Sequence, residues 1–249
     1  MKMKTILTTA ILAYGLLAYS QKLPGEMYAS EDGHIMYSGG KAPEGMYDHK
    51  VVRDVYLDFP QADYWAQLTN NYQSETEIPA TMTIDGIVYD SVGVRFRGNT
   101  SYFTIGNSQK KSFAVSTDFV HGDQVCMGFK NFKFNNAHED ASFMREVLYN
   151  QMASRHTPNA KANYIHLHLN GQDWGIYPNI QSLDKTFLEG YFMSNDGARF
   201  RATTGASGMG GGGGGGPSWG DGTAGMNYLG TDTATYQKYY SLKSSDIAD

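Results

Sequence analysis

The fold of this chain is organised around residues 92–101, which read VGVRFRGNTS. Apolar residues alternate there with small or polar ones, which is the period of a strand that buries one face. Arg95 and Arg97 therefore lie side by side on the opposite face. The strand then enters a turn of small, donor-rich residues, namely Gly98, Asn99, Thr100 and Ser101.

A second strand follows and opens with Lys110 and Lys111. Lys110 shares its outer face with the small residues Ser112 and Ala114, which leave room for a ligand. Backbone N–H groups of a glycine turn, paired guanidinium groups and a lysine suit the oxygens of a phosphate. The alternative is a solvated hairpin with basic residues on its surface, since short motifs of this kind match many unrelated chains.

Residues 1–20 have the pattern of a secretory signal peptide. Two lysines precede an apolar run, and Ala18 and Ser20 are small residues at the positions that signal peptidase reads. The run is too short to anchor the chain in a membrane. We therefore predict a secreted protein, extracellular, at the cell surface or in a periplasm, that starts at Gln21 and has no stable membrane span.

The composition argues against one class of partner and indicates what stabilises the fold. The formal net charge of the 249-residue chain is −5, which argues against a nucleic-acid-binding protein. Cys126 is the single cysteine, so no disulfide can form within the chain. At this length a hydrophobic core can hold one domain without such a crosslink.

Period-two patterns predict most of the secondary structure. Asp85-Gly86 and Asn170-Gly171 are dipeptides favoured in two-residue hairpin turns, and each joins two of the predicted strands. The strands are predicted at residues 55–59, 81–84, 87–96, 110–119, 129–134, 164–169 and 174–180.

Helical spacing predicts three helices, at residues 61–71, 140–157 and 183–193. Asp140 is expected to cap the second of them. The buried stripe predicted for that helix consists of Phe143, Met144, Val147, Leu148 and Met152. Together the elements predict an α+β fold, a mostly antiparallel sheet with packed helices.

Three segments lie outside this predicted domain at residues 51–204. Residues 21–50 lack periodicity and are predicted to form an extended leader. Residues 205–225 include an unbroken glycine run at 210–216 and are predicted to form a flexible insertion. That segment lacks the Lys and Ser/Thr of a phosphate-binding loop. Residues 226–249 are interpreted as the start of a C-terminal portion.

His166 and His168 alternate with apolar residues, so both imidazoles project from one face of a strand. Paired histidines of this kind sometimes bind metal. No third ligand is evident at the spacing of a metal site, so the sequence favours a solvated hairpin face.

The order of these motifs resembles the CotH kinase-like family, the spore-coat protein H type of atypical protein kinase. The resemblance covers roughly residues 51–195. It rests on residues 93–101, on residues 110–113, on Asp140, Ser142, Phe143, Arg145 and Glu146, on Asn170, Gly171, Gly175, Ile176 and Tyr177, and on Asp184, Phe187 and Leu188.

The resemblance implies a kinase-like fold that transfers the γ-phosphate of ATP, with Mg²⁺ or Mn²⁺, to a Ser or Thr hydroxyl of a protein. In such a fold a strand lysine contacts the phosphates and a helix glutamate holds the lysine. By motif the lysine is Lys110, with Lys111 as the alternate, and the glutamate is Glu146. The turn at residues 98–101 would cover the phosphates, with Arg95 or Arg97 assisting.

Two departures from the family pattern qualify this expectation. Gln181 stands where many members have a glutamate, four residues after Tyr177. No segment before Asp249 matches the catalytic and metal-binding aspartates of the family. Phosphoryl transfer needs such carboxylates. The sequence therefore predicts a fold incomplete at its C-terminus and without turnover of its own, or alternatively an inactive extracellular binding or surface-assembly module.

Overall fold

The structure is a computed structural model that describes residues 27–29, 36–38, 45–105, 108–192, 195, 199–202, 228–237 and 239–244. The predicted signal peptide and the predicted glycine-rich insertion lie outside the described residues. Among those residues, no helix combines the length and the apolar character needed to cross a membrane.

The described strands are β1 (Met27–Ala29), β2 (Met36–Ser38), β3 (Arg53–Asp58), β4 (Ile78–Ile84), β5 (Ile87–Arg97), β6 (Ser112–Ser116), β7 (Asn131–Phe134), β8 (Ala162–Leu169), β9 (Gln172–Gln181), β10 (Phe200–Ala202) and β11 (Tyr240–Leu242). The described α-helices are α1 (Tyr64–Asn70), α2 (Thr100–Phe103), α3 (Arg145–Ala153), α4 (Lys185–Tyr191) and α5 (Thr233–Gln237).

Seven strands close into a barrel in the order β3-β4-β5-β6-β7-β9-β8. Neighbouring strands are antiparallel except at one seam, where β3 pairs in parallel with β8. The predicted hairpin turns are confirmed. Asp85 and Gly86 have φ values of 52° and 77°, and Asn170 and Gly171 have 46° and 75°, so both turns are of the type that two-residue hairpins favour.

The barrel interior is the hydrophobic core. Each of the seven strands contributes apolar side chains to it, because alternate residues of a strand face inward. Trp65 of α1 packs on one part of this core, with its ring 4.9 Å from Phe96 and 5.1 Å from Trp174. The fully buried side chains of the cluster include Val55, Leu57, Met82, Ile84, Val92, Val94, Phe96, Phe113, Phe132, Phe134, Ile165, Leu167, Leu169 and Tyr177.

The predicted fold class, a kinase-like α+β fold with packed helices, is wrong. The protein is mostly β, and its sheet closes on itself. In a closed barrel the inward-facing side chains of all the strands pack against one another, so the core needs no covering layer of helices. The described helices are short, at four to nine residues each.

The stripe predicted for α3 is confirmed at Val147 and wrong at Met144, Leu148 and Met152. Val147 is 1% exposed and packs with Ala162 and Ile180 in a small second cluster outside the barrel. Leu148 and Met152, predicted to be buried, are 41% and 66% exposed. Helical spacing identified the helix, but it did not identify which side of the helix meets the sheet.

The core reaches back before residue 51. A 3₁₀ turn at Gly45–Tyr47 places Met46 and Tyr47 in the main core, although both fall in the segment that the sequence assigned to a leader. Asn163 of β8 fixes the turn by donating a hydrogen bond from Nδ2 to the Met46 carbonyl at 2.9 Å. Further back, β1 and β2 pair as a two-stranded antiparallel sheet.

Candidate functional site

A cavity of about 310 Å³ lies outside the barrel, where β5, β6 and β7 reach the first turn of α3. Arg97 ends β5, Ser112 begins β6, Asn135 follows β7, and Glu146 lies in the first turn of α3. The residues that line the cavity are Arg97, Gly98, Ser101, Ser112, Asn135, Asn136, Ala137, His138, Asp140, Arg145, Glu146 and Pro178.

Arg97 and Glu146 are joined through Asn135. The Arg97 guanidinium donates from Nη1 to Asn135 Oδ1, and Asn135 Nδ2 donates to Glu146 Oε1 at 2.7 Å. Burial lowers the pKa of Arg97, and the Glu146 carboxylate opposes that shift. Arginine nevertheless stays charged in proteins. The cavity wall therefore holds a fixed, partly desolvated positive charge.

The glycine turn borders this guanidinium. Gly98 has a φ of 103°, and a side chain there would collide with Ser101 Oγ. Tyr72 anchors the turn by donating from its hydroxyl to the Gly98 carbonyl at 2.6 Å. Of the four residues predicted for this turn, Gly98 and Ser101 line the cavity, whereas Asn99 and Thr100 are exposed outside the lining.

Arg95 lies on the same outer face of β5 as Arg97, as predicted, but it does not line the cavity. Its Nη2 is 3.3 Å from the carboxylate of Glu75, in an exposed ion pair. Arg95 is therefore drawn towards the opposite side of β5 from the α3 turn.

The two predicted lysines contact backbone carbonyls and aromatic rings of neighbouring elements. Lys110 Nζ donates to the Ile176 carbonyl at 2.9 Å and lies 4.7 Å from the centre of the Tyr177 ring. Lys111 Nζ donates to the Tyr102 carbonyl at 2.8 Å and lies 4.0 Å from the Tyr102 ring centre. Burial lowers the pKa of both lysines.

The structure places the Lys110 backbone, but not its ammonium group, beside the cavity. The Lys110 carbonyl accepts a hydrogen bond from Asn136 Nδ2 at 2.9 Å, and Asn136 lines the cavity. Among the described residues, no ion pair joins Lys110 to Glu146. Their predicted pairing would require the Lys110 side chain to leave the Ile176 carbonyl.

Lys133 is a basic residue near this site that the sequence reasoning missed. It lies on the outer face of β7, paired across the sheet with Ala114 on one side and Ile180 on the other. Burial lowers its pKa and Arg97 lowers it further, while Asp184 and Glu146 oppose the shift. The alternation of Asn131–Phe134, with both phenylalanines inside the barrel, was the signal that could have found it.

The carboxylates around the cavity do not fit a metal site. Asp140 Oδ1 accepts from the backbone N–H of Ser142 at 3.1 Å, and its Oδ2 accepts from that of Arg145 at 2.8 Å, where α3 begins. Asp184, which lies outside the lining of the cavity, caps α4 through the Phe187 N–H at 3.3 Å. The described residues bring no group of three metal-ligating side chains together at this cavity.

Gln181, the departure from the family pattern, has a structural partner in the barrel. Its side chain is 3% exposed, and Oε1 accepts the Lys161 N–H at 3.1 Å. The Gln181 amide therefore links β9 to the segment before β8 by accepting a backbone hydrogen bond.

Fold and cavity together define a β-barrel protein whose outer face carries a cavity lined by two arginines, two carboxylates and amide side chains. The chain belongs to the CotH kinase family, because residues 94–245 match the family described as CotH kinase protein. The predicted family resemblance is thereby confirmed. At the level of the family, membership implies ATP-dependent phosphotransfer and suggests a protein substrate. No curated protein matches the chain.

Proposed function

We propose that this chain is an exported CotH-family kinase that binds the phosphates of ATP in the cavity, and that phosphorylation of Ser or Thr hydroxyls of a protein also needs carboxylates from outside the cavity. The observation that carries the proposal is the Arg97 guanidinium, held against the cavity by Asn135 and Glu146. The family match supports the reaction class. The lysine-led apolar segment at the N-terminus supports export.

Two arginines, Arg97 and Arg145, line the cavity together with two carboxylates, Asp140 and Glu146, and the Arg97 guanidinium is the group suited to phosphate oxygens. A guanidinium carries five N–H donors in a planar fork, and the bond to Asn135 uses one of them. The remaining donors can bind phosphate oxygens bidentately. Because negative charge is spread over the phosphoryl oxygens during transfer, a preorganised cation in a partly desolvated cavity stabilises it. Lys133 adds a positive charge on β7, two strands from β5 and outside the lining of the cavity.

Titration with a fluorescent ATP analogue tests the binding step. We expect Arg97→Gln to raise the Kd by about tenfold or more, which corresponds to about 1.4 kcal/mol. Arg155→Gln, which changes an exposed arginine outside the cavity, is the matched control. Titrations with and without Mg²⁺ or Mn²⁺ measure the metal requirement that the resemblance implies. Equal affinities of both variants and the unaltered chain would refute the binding site.

Labelling with radioactive ATP tests the transfer step. We expect Lys110→Ala to reduce autophosphorylation far more than Lys111→Ala, because by motif Lys110 is the phosphate-contacting lysine. A binding module without turnover is the second candidate, and it is favoured because Asp140 and Asp184 already accept backbone N–H groups at the starts of α3 and α4. Arg97-dependent ATP binding without any labelling would support that second candidate. Small and equal effects of both lysine substitutions would refute a catalytic role for either.

Export is tested separately by N-terminal sequencing of the protein recovered outside the cytoplasm. We expect the sequence to begin at or near Gln21, because Ala18 and Ser20 are the small residues of a signal-peptidase site. Retention of Met1 in the exported protein would contradict cleavage at this site.

A further inference from the structure

The parallel seam of the barrel brings an aspartate next to the two histidines of β8. In the register of β3 and β8, Asp54 pairs with His166 and Tyr56 pairs with His168. The intervening residues face the core, so these four side chains share the outer face. The sequence offered no third ligand because Asp54 is 114 positions from His168.

The three side chains converge on a single point. Asp54 Oδ1 is 2.9 Å from His166 Nδ1 and 2.8 Å from His168 Nε2. One ligand atom from each residue lies within 4.8 Å of those of the other two. The His168 ring is held by stacking on Tyr56, with ring centres 4.4 Å apart.

His166 has a carboxylate at each ring nitrogen. Its Nε2 is 2.7 Å from Asp173 Oδ1, which also accepts the Gly175 N–H, and its Nδ1 faces Asp54. A neutral imidazole carries one ring hydrogen, so it can satisfy only one of these carboxylates. When Nε2–H donates to Asp173, the Nδ1 lone pair faces the Asp54 oxygen, and either a proton or a metal cation bound there removes the repulsion.

We propose that Asp54, His166 and His168 bind a divalent transition-metal cation of the zinc class, with Asp173 orienting His166. Imidazole nitrogens and one carboxylate are ligands that suit Zn²⁺, whereas Mg²⁺ prefers oxygen ligands throughout. A carboxylate that accepts the far N–H of a ligating histidine is the usual orienting partner in such sites.

The two distances to Asp54 need a modest adjustment to accept the ion. Tetrahedral ligand atoms at about 2.0–2.1 Å from zinc lie about 3.4 Å from one another. Asp54 must therefore withdraw by roughly half an ångström from the two rings, relative to the present 2.8–2.9 Å. Its side chain is 53% exposed and free to do so, and water completes the coordination.

Calorimetric titration of the metal-free full chain with ZnCl₂ tests the site. We expect binding of one Zn²⁺ per chain, loss of that binding in His168→Gln and in Asp54→Asn, and about tenfold weaker binding in Asp173→Asn. MgCl₂ should give no comparable binding. The matched control is His121→Gln, because His121 faces Asp90 at 3.7 Å in an exposed pair and belongs to no three-ligand group among the described residues.

NMR of the imidazole groups in the unaltered chain gives a readout that needs no variant. We expect Zn²⁺ to shift the ring signals of His166 and His168 and to leave those of His121 unchanged. The proposal is overturned if millimolar Zn²⁺ produces neither heat nor these shifts, or if Mg²⁺ binds equally well. It is also overturned if His168→Gln and Asp54→Asn bind as the unaltered chain does. The site does not depend on the proposed kinase function, so either can fail alone.

Discussion

Replacing Asn135 with alanine tests the connection between Arg97 and Glu146. Asn135 makes two side-chain hydrogen bonds, each with a charged partner, and such bonds contribute about 1.5–3 kcal/mol apiece. The exposed side chain of Arg145 borders the cavity, so water can enter it. Hydrogen bonds to this water replace part of the hydrogen bonding that Asn135 provides. We therefore expect Asn135→Ala to lower the free energy of unfolding by about 2–3 kcal/mol.

Urea denaturation followed by tryptophan fluorescence measures this loss, and the melting temperature should fall by about 5–10 °C. Asn99→Ala is the control, because Asn99 is exposed and its side chain makes no capping hydrogen bond. In a double-mutant cycle with Glu146→Gln, the two substitutions should couple by about 1 kcal/mol. A loss in Asn135→Ala no larger than in the control, or strict additivity in the cycle, would refute the connection.

Two further predictions concern stability. Gly98→Ala should lower the free energy of unfolding by about 1–3 kcal/mol, because the positive φ and the contact with Ser101 both oppose a side chain. Gly122→Ala, at a position in open space, should lower it far less. Equal unfolding midpoints of the two variants would contradict this interpretation of the turn. Val147→Ala should lower the free energy of unfolding by about 2 kcal/mol, because Val147 is buried. Leu148→Ala should change it by no more than about 0.5 kcal/mol, because Leu148 is exposed. Thermal denaturation of both variants decides between the observed and the predicted buried face of α3. A larger fall in melting temperature for Leu148→Ala than for Val147→Ala would favour the predicted face.

Local features of the barrel were predictable because they are encoded locally. Alternation in residues 92–97 fixed which side chains of β5 face the core, and Phe96 is fully buried as predicted. The dipeptides at 85–86 and 170–171 fixed two hairpins, because their residues tolerate a positive φ. Strand ends were less accurate. The strand predicted at 110–119 extends only over Ser112–Ser116.

Features that depend on distant pairing were not predictable from one sequence. Nothing near Arg53–Asp58 indicates that this strand pairs in parallel with β8, so an open sheet covered by helices was expected in place of a barrel. The same pairing supplies Asp54 to the histidines of β8. The role of Asn135 in the cavity depends on how β5, β7 and α3 are placed in space, because its two hydrogen-bond partners come from β5 and α3.

The parallel seam also has a consequence for how the protein is made. β3 is the first barrel strand to leave the ribosome, and its last barrel partner comes late in the chain. The bond from the Phe59 N–H to Asn170 Oδ1 spans 111 positions. At roughly 5–20 residues per second, translation leaves one edge of β3 unpaired for roughly 5–20 s. Exposed strand edges recruit other chains. The nascent chain is thus most open to misassociation before β8 emerges, and barrel closure is the step that ends this interval.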